Sequence, residues 1–210
     1  MRTINEESVG KIEVKKSRFI ATLRPVESKE EAEAFVAEMK KQYWDARHNC
    51  SAYVLPATKE SGIYVHSSDD GEPSGTAGKP MLTVLQGNDL EGVAVVVTRY
   101  FGGVLLGTGG LVRSYQDAVS EAVKNAKLLE RSPMTETEVT VDYSLVGRIQ
   151  NFLSAHADVV QKDAVYEASV RFVLLFPQEE AEALCSEIVS LTDGKAVLTE
   201  KGQRVELVPV

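Results

Sequence analysis

The segment from Arg99 to Gly110, RYFGGVLLGTGG, carries residue types that bind anions in proteins. It holds five glycines and leads into a segment of helical period that starts at Leu111. Free backbone N–H groups at a helix start attract negative charge, to which Thr108 could add a hydroxyl and Arg113 a cation. The segment has neither the Gly-Lys-Ser/Thr of a Walker loop nor a good Rossmann fingerprint. A second interpretation stays open, in which the glycines only allow a helix to pack closely against a sheet.

A second glycine-rich loop, Ser68 to Pro80, contains the three carboxylates of Asp69, Asp70 and Glu72. Carboxylates are ligands that Ca²⁺ and Mg²⁺ prefer, but the spacing here differs from that of an EF-hand loop. The favoured interpretation is an acidic turn whose carboxylates are solvated or accept local backbone N–H bonds. We therefore predict no metal and no cofactor.

The run Arg47-His48-Asn49-Cys50 stands at a predicted loop-to-strand junction and places a histidine two residues from a cysteine. Residues two apart on a strand share a face, so the pair raises the alternative of a thiol active site. The favoured interpretation is that His48 orients neighbouring groups or faces solvent. Its use as a general base belongs to the enzyme alternative given below. Cys50 and Cys185 are expected to be reduced and buried.

The elements that position these segments follow from hydrophobic periodicity. Ser28 and Glu31 form a capping box at the start of an amphipathic helix that ends near Trp44. Residues 93–100, VAVVVTRY, are almost continuously apolar, which indicates a central strand buried on both faces. Further strands are predicted at 11–24, 49–56 and 62–67, a short helix at 78–86 with Pro80 in its first turn, and a long helix at 111–127.

Pro133 marks a change of pattern, after which the predicted elements follow the order βαββαβ, the ferredoxin-like plan. Gly194 follows the second helix of this part, where a C-cap glycine is expected. We therefore predict an α+β protein with two domains, residues 1–132 and 133–210. The predicted C-terminal elements are a strand at 138–142, a helix at 145–156, strands at 159–166 and 169–176, a helix at 178–192 and a strand at 196–208.

The net charge of −8 is concentrated in the C-terminal third, where residues 135–210 contain 6 basic and 13 acidic residues. Any contact with nucleic acid is therefore expected from the N-terminal part, because Lys and Arg are the residues that neutralise phosphates. The sequence holds no apolar run long enough to span a bilayer, and its first residues lack the apolar centre of a signal peptide. We expect a cytoplasmic protein without membrane association.

Four segments together resemble the signature blocks of the YigZ/IMPACT family of translation-associated proteins. They are KKSRFIA at 15–21, ARHNCSAY at 46–53, SSDDGEPSGTAGKPML at 67–82 and VVVTRYFGGVLLGTGGLVRSY at 95–115. Ser114, where alanine is common in the family, is a minor departure. The resemblance implies an N-terminal two-layer α/β domain similar to domain IV of elongation factor G, and a C-terminal domain similar to domain V. It implies no established catalytic residues and, for bacterial members, only a general link to translation.

Three functions fit these residues. The favoured one is a non-enzymatic, translation-associated regulatory protein that binds RNA, the ribosome or a translation factor through its N-terminal domain. The alternatives are an enzyme acting on a small phosphorylated or carboxylated substrate, including a proline-peptidase-like activity, and an adaptor that uses the acidic C-terminal domain. The predicted anion- or nucleic-acid-binding residues are Lys15, Lys16, Arg18, Arg47, His48, Lys79, Arg99, Gly107, Thr108, Gly109, Gly110 and Arg113.

Overall fold

The computed structural model describes residues 1–56 and 62–209. It divides the chain into two compact units, one of Met1–Glu130 together with Pro209 and one of Arg131–Val208. Both units combine helices with strands, which confirms the predicted α+β class. The predicted domain ranges also include residues 57–61 and 210, which lie outside the described residues. In the described part of the chain, no helix is long and apolar enough to cross a membrane.

A five-stranded sheet in the order β2-β3-β6-β4-β5 forms the centre of the first unit, and every neighbouring pair is antiparallel. The middle strand, β6 (Val93–Tyr100), is buried along its length except at Tyr100, as its apolar sequence predicts. The other strands of this unit are β1 (Arg2–Ile4), β2 (Ser8–Val14), β3 (Ser17–Pro25), β4 (His48–Leu55) and β5 (Tyr64–Ser68).

Three helices cover the two faces of this sheet. The first, α1 (Lys29–Gln42), begins after Ser28, whose hydroxyl accepts the N–H of Glu31 as the capping box predicts. It packs against one face, over β4 and β6. Helices α2 (Gly78–Gly87) and α3 (Gly107–Asn125) pack against the other face and share a larger apolar core. The start of α3 therefore lies near the ends of the central strands.

The second unit has the ferredoxin-like βαββαβ order predicted from the sequence, and its strands have the spatial order β10-β7-β9-β8. Its core joins the sheet to Ile149 and Phe152 of one helix and to Leu184 and Ile188 of the other. The elements are β7 (Leu128–Val141), a single 3-10 turn (Tyr143–Leu145), α4 (Val146–Ala155), β8 (Val160–Tyr166), β9 (Val170–Pro177), α5 (Ala181–Leu191) and β10 (Val197–Pro209).

Two elements begin four or more residues before their predicted starts. Helix α3 begins at Gly107, four residues before the predicted start at Leu111, because Gly107 adopts a φ of 71° that turns the chain directly into the helix. Strand β7 begins at Leu128, ten residues before the predicted start, despite the proline at position 133. Pro133 lies between the residues paired with β1 and those paired with β9, which start at Met134, so its missing N–H interrupts neither ladder.

Candidate functional site

A cleft of about 430 Å³ opens in the first unit, where β4 begins, β6 ends and α3 begins. Charged and polar groups converge in it among apolar side chains, an arrangement typical of ligand sites. Five of the predicted binding residues line it, namely Arg47, His48, Arg99, Gly107 and Thr108. The remaining lining residues are Gly71, Glu72, Pro73, Phe101, Leu105, Leu106 and Leu111.

The floor of the cleft holds a buried ion pair between Arg99 and Glu72. The Arg99 side chain is 7% exposed and that of Glu72 is 3% exposed, and Arg99 Nη1 donates to Glu72 Oε1 over 2.6 Å. The hydroxyl of Tyr115 donates to the same carboxylate oxygen over 2.8 Å. Arg99 Nε is also buried but has no hydrogen-bond partner among the described residues. A buried donor left without an acceptor is rare in folded proteins, so Arg99 retains capacity for a ligand acceptor.

His48 forms the side of the cleft next to this ion pair. Its Nδ1 lies 2.9 Å from the carbonyl oxygen of Asp70, and because a carbonyl only accepts, Nδ1 carries the hydrogen. This leaves Nε2 as the acceptor in the neutral ring, 3.9 Å from Glu72 Oε2. Gly71, with a φ of 84°, lies against the His48 ring, and a Cβ added there would approach it to 3.5 Å. The loop therefore fixes the orientation of a group that can take up a proton inside the cleft.

The acidic loop is bonded locally, as the favoured sequence interpretation predicts. The Asp69 carboxylate accepts the N–H groups of Gly75, Ala77 and Gly78, at 2.7, 3.0 and 2.9 Å. Burial opposes ionisation of Asp69, but these donors outweigh it and hold the pKa of the carboxyl below its usual value. In the ranges 1–56 and 62–209, no group of three or more His, Cys, Asp or Glu side chains is arranged to hold a metal ion.

Asp70, the second carboxylate of the loop, ties it to α1 and β4. Its carboxylate accepts Lys40 Nζ at 2.5 Å and the N–H of Asn49 at 2.7 Å. Burial again opposes ionisation, yet Lys40 and the Asn49 N–H lower the pKa of Asp70 below its usual value. Because Asp70 also accepts from His48 through its carbonyl oxygen, it couples the cleft wall to the sheet.

The glycines of the 99–110 segment divide between the two interpretations that the sequence leaves open. A Cβ at Gly102 would lie 2.1 Å from the carbonyl carbon of Lys16, so this glycine serves close packing. A Cβ at Gly107 or Gly109 would meet nothing within 4 Å, so no packing constraint from a neighbouring atom requires these glycines. No side chain of the described residues caps the start of α3. The exposed N-terminus of α3 thus faces open space beside the cleft, as an anion site requires.

The remaining predicted residues lie outside the cleft lining. Lys15 and Lys16 form the tight turn between β2 and β3, with φ values of 48° and 66°, and Lys16 packs against the 99–110 segment through Gly102. Arg18 pairs with Tyr100 across the strands, with its guanidinium 4.8 Å from the ring centroid. These three cations therefore stand at the same end of the sheet as the cleft. Lys79 and Arg113 are exposed on α2 and α3, and neither they nor Gly109 and Gly110 line the cleft.

Cys50 lies beneath the cleft and is fully buried, as the sequence interpretation predicts. Its thiol donates to the carbonyl oxygen of Asp69 over 3.0 Å and lies 3.3 Å from the hydroxyl of Tyr115. Burial raises the pKa of the Cys50 thiol to about 12. A thiolate is the reactive form of cysteine, so this residue is a structural part of the site.

Sequence reasoning missed three residues that shape the cleft. The sequence pattern indicates that Glu72 is an acid of a solvated turn, whereas in the structure it forms an ion pair with Arg99. Tyr115 reads as part of the apolar stripe of α3, although its hydroxyl bonds to Glu72. Phe101 reads as a loop residue, although it lines the cleft with its ring 5.7 Å from the Arg99 guanidinium. Periodicity cannot reveal such long-range pairs, because it reports only which face of an element is apolar.

Comparison with known proteins shows similarity along both units. The Impact N-terminal domain matches residues 15–123, and a domain of unknown function, DUF1949, matches residues 139–195. IMPACT family member YvyE of Bacillus subtilis is 40% identical over 198 residues, which cover 94% of this chain and 89% of that protein. IMPACT family member YigZ of Escherichia coli is 36% identical over 187 residues, which cover 89% of this chain and 90% of that protein.

A solved crystal structure, described only as that of a hypothetical protein, is also similar. It is 34% identical in sequence, covers 94% of this chain and 95% of its own, and superposes with a TM-score of 0.58.

Proposed function

Because the chain belongs to the IMPACT family, we propose that it is a non-enzymatic, translation-associated regulatory protein whose first unit binds RNA. The family resemblance supports the link to translation. The cleft and its surroundings support the binding of a phosphate-bearing ligand. The family resemblance and the cleft both concern the first unit, which contains the residues matched by the Impact N-terminal domain.

One observation carries this proposal: Arg99 and the first residues of α3 line a single cleft. Arg99 retains a buried N–H without a partner among the described residues, and the N–H groups that begin α3 lack a side-chain cap. A phosphate oxygen can accept from both, and its charge is favoured by the guanidinium and by the helix dipole. Glu72 holds the guanidinium in place beforehand, so little side-chain freedom is lost on binding.

The surrounding charges extend this site along one end of the sheet. Arg47 lines the cleft and is exposed, while the exposed Lys15, Lys16 and Arg18 lie at the same end of the sheet. Four exposed cations around a phosphate site suit a polymer of phosphates better than a single anion. Most of the net negative charge of the chain lies elsewhere, in residues 135–210, which contain 6 basic and 13 acidic residues.

Salt-dependent RNA binding tests the proposal. We expect the full chain to bind a fluorescently labelled RNA. The logarithm of the association constant should fall linearly with the logarithm of the salt concentration. Arg47→Gln should weaken binding and reduce the slope by about one unit, because one phosphate contact is removed. Lys124→Gln is the control, since Lys124 is an exposed cation in the last turn of α3, at the opposite end of that helix from the cleft. Absence of binding at about 50 mM salt, or equal effects of the two variants, would refute the proposal.

A second candidate function, catalysis on a small phosphorylated or carboxylated substrate, is favoured by the His48 geometry. Nε2 of His48 is available to accept a proton 3.9 Å from the buried Glu72 carboxylate, in a cleft of about 430 Å³ that suits a small ligand. His48 would act as the general base and Arg99 would hold the anionic group. A panel of phosphate esters and proline-containing peptides tests this alternative. Turnover that His48→Gln abolishes would support it, and turnover unchanged in that variant would exclude His48 from the chemistry.

A further inference from the structure

Three large apolar side chains are exposed on the segments that form the cleft or lead into it. Trp44 is 82% exposed, Leu105 is 83% exposed and Phe101 is 46% exposed. We name Trp44, Phe101 and Leu105 the aromatic rim. Exposed apolar groups that adjoin a polar pocket mark binding surfaces more often than isolated ones do. We therefore expect the ligand of this surface to have flat apolar groups next to its charged groups.

Chain connections place the rim next to the cleft. Trp44 precedes the cleft residue Arg47 by three positions, so their Cα atoms lie within about 11 Å of each other. Phe101 and Leu105 line the cleft directly. The hydroxyl of Tyr100 donates to Asp45 Oδ1 over 2.9 Å, which ties the segment that carries Trp44 to the strand end that leads into Phe101. The two rings thus belong to adjoining segments at the end of the sheet where the cleft lies.

Cations alternate with the rings on this surface. The guanidinium of Arg99 lies 5.7 Å from the Phe101 ring centroid, and that of Arg18 lies 4.8 Å from the Tyr100 ring centroid. Stacking rings interleaved with Arg and Lys are the features by which proteins hold single-stranded nucleic acid. A protein-docking patch would instead be depleted of charge at its centre, whereas this cleft has the buried Arg99 guanidinium in its floor and the exposed Arg47 in its lining.

We propose that the aromatic rim is a base-stacking platform and that the ligand of this site is single-stranded RNA. The inference rests on the proposed function and specifies the RNA. A phosphate lies between Arg99 and the α3 N-terminus, and neighbouring bases stack on Phe101 and Trp44. A duplex does not fit this arrangement, because its bases are stacked on one another and their faces are covered.

Trp44 provides a direct readout, because it is the single tryptophan of the chain. The full chain is titrated at about 50 mM salt with a single-stranded RNA of ten nucleotides and, separately, with the duplex of the same sequence. Anisotropy of labelled RNA reports binding and tryptophan fluorescence reports stacking. We expect the single strand to bind more tightly and to quench Trp44, whereas the duplex leaves the fluorescence unchanged.

Variants separate stacking from other roles of these side chains. Trp44→Ala should weaken single-strand binding about tenfold, and Trp44→Phe should restore most of it, because one base–ring stack is lost in the first and kept in the second. Tyr166→Ala is the matched control, since Tyr166 is a 55% exposed aromatic residue of the second unit. Thermal unfolding of each variant checks that the fold is kept.

The outcomes distinguish this inference from the function on which it rests. Equal binding of single strand and duplex, with Trp44 fluorescence unchanged, would overturn the stacking platform and leave RNA binding in place. Equal losses in Trp44→Ala and Trp44→Phe would overturn it as well. A Trp44 signal that depends on protein concentration without RNA would assign the rim to a second copy of the chain. No binding of either RNA would overturn both proposals.

Discussion

Replacement of Glu72 by glutamine is expected to weaken the fold and to strengthen anion binding at the same time. Glu72 is buried and accepts hydrogen bonds from Arg99 and Tyr115. Glu72→Gln keeps the size and one acceptor oxygen but removes the charge that balances the Arg99 guanidinium. Breaking a buried ion pair from one side costs about 3–5 kcal/mol, and the retained acceptor lowers the expected loss of unfolding free energy to about 3 kcal/mol.

The gain in binding follows from the same geometry. A phosphate oxygen bonded to Arg99 would lie about 7 Å from the Glu72 carboxylate, because one bond of about 2.9 Å and the width of the guanidinium are added to the 2.6 Å ion pair. Two like charges at that separation repel by about 0.6 kcal/mol in water and about 2.4 kcal/mol at an effective dielectric constant of about 20. Removing the repulsion should tighten phosphate binding by about threefold to sixtyfold.

Two measurements on one preparation test whether Glu72→Gln lowers stability and tightens RNA binding. Urea denaturation gives the unfolding free energy, and titration with labelled RNA at fixed salt gives the affinity. Glu38→Gln is the control, because Glu38 forms a similar bond of 2.6 Å with Arg24 but is exposed and outside the cleft. The control should leave RNA affinity unchanged. A Glu72→Gln variant that is destabilised but binds RNA no more tightly would show that the ligand does not lie at Arg99, which would refute the reasoning.

Three further predictions concern the support of the site. Asp69→Asn should lower the unfolding free energy by about 1–2 kcal/mol at neutral pH, because an amide offers one acceptor where three N–H groups now share a carboxylate. Since folding lowers the pKa of Asp69, its stabilisation is present above the unfolded value near 3.9 and is lost as pH falls through the folded value, so the variant should show a flatter acid limb in urea denaturation. Gly10→Ala should cost about 3 kcal/mol or prevent folding, because its Cβ would lie 2.3 Å from the backbone nitrogen of Ala122 in α3, whereas Gly87→Ala, which meets nothing within 4 Å, should be close to neutral in the same assay. With the half-buried Cys185 replaced by serine, alkylation of Cys50 at about pH 8 should proceed no faster than unfolding, since burial raises its pKa to about 12, and rapid modification of that native variant would contradict the assigned position of Cys50.

Local signals in the sequence are sufficient to predict most of the fold. The capping box at Ser28, the apolar run of β6 and the βαββαβ order of the second unit all depend on neighbours close in the chain, and all three are confirmed. The predicted start of β7 is wrong. A proline in the sequence indicates the end of a strand, and the sequence does not show that the N–H of position 133 is used by neither the β1 nor the β9 ladder. Strand β1 (Arg2–Ile4) escapes prediction because three residues give no readable period.

The site is less predictable than the fold. The sequence marks Arg99 only as one of several predicted phosphate-binding cations, whereas the structure pairs it in the interior with Glu72, 27 residues earlier in the chain. The sequence gives no reason to distinguish the glycines of the 99–110 segment. In the structure, however, Gly102 is required by close backbone packing, whereas Gly107 borders open space. These distinctions depend on which distant backbone approaches each residue, and a single sequence does not encode that in any local pattern.

The tip of the β2–β3 hairpin shows where this chain departs from the most stable sequence. Lys15 and Lys16 both hold left-handed backbone conformations, which cost about 1–2 kcal/mol for each residue with a Cβ. Asn-Gly would fit the same turn with little strain. The hairpin therefore gives up some stability at its tip and carries two exposed lysines there. Replacing Lys15-Lys16 by Asn-Gly would therefore raise the free energy of unfolding and remove two positive charges from this end of the sheet.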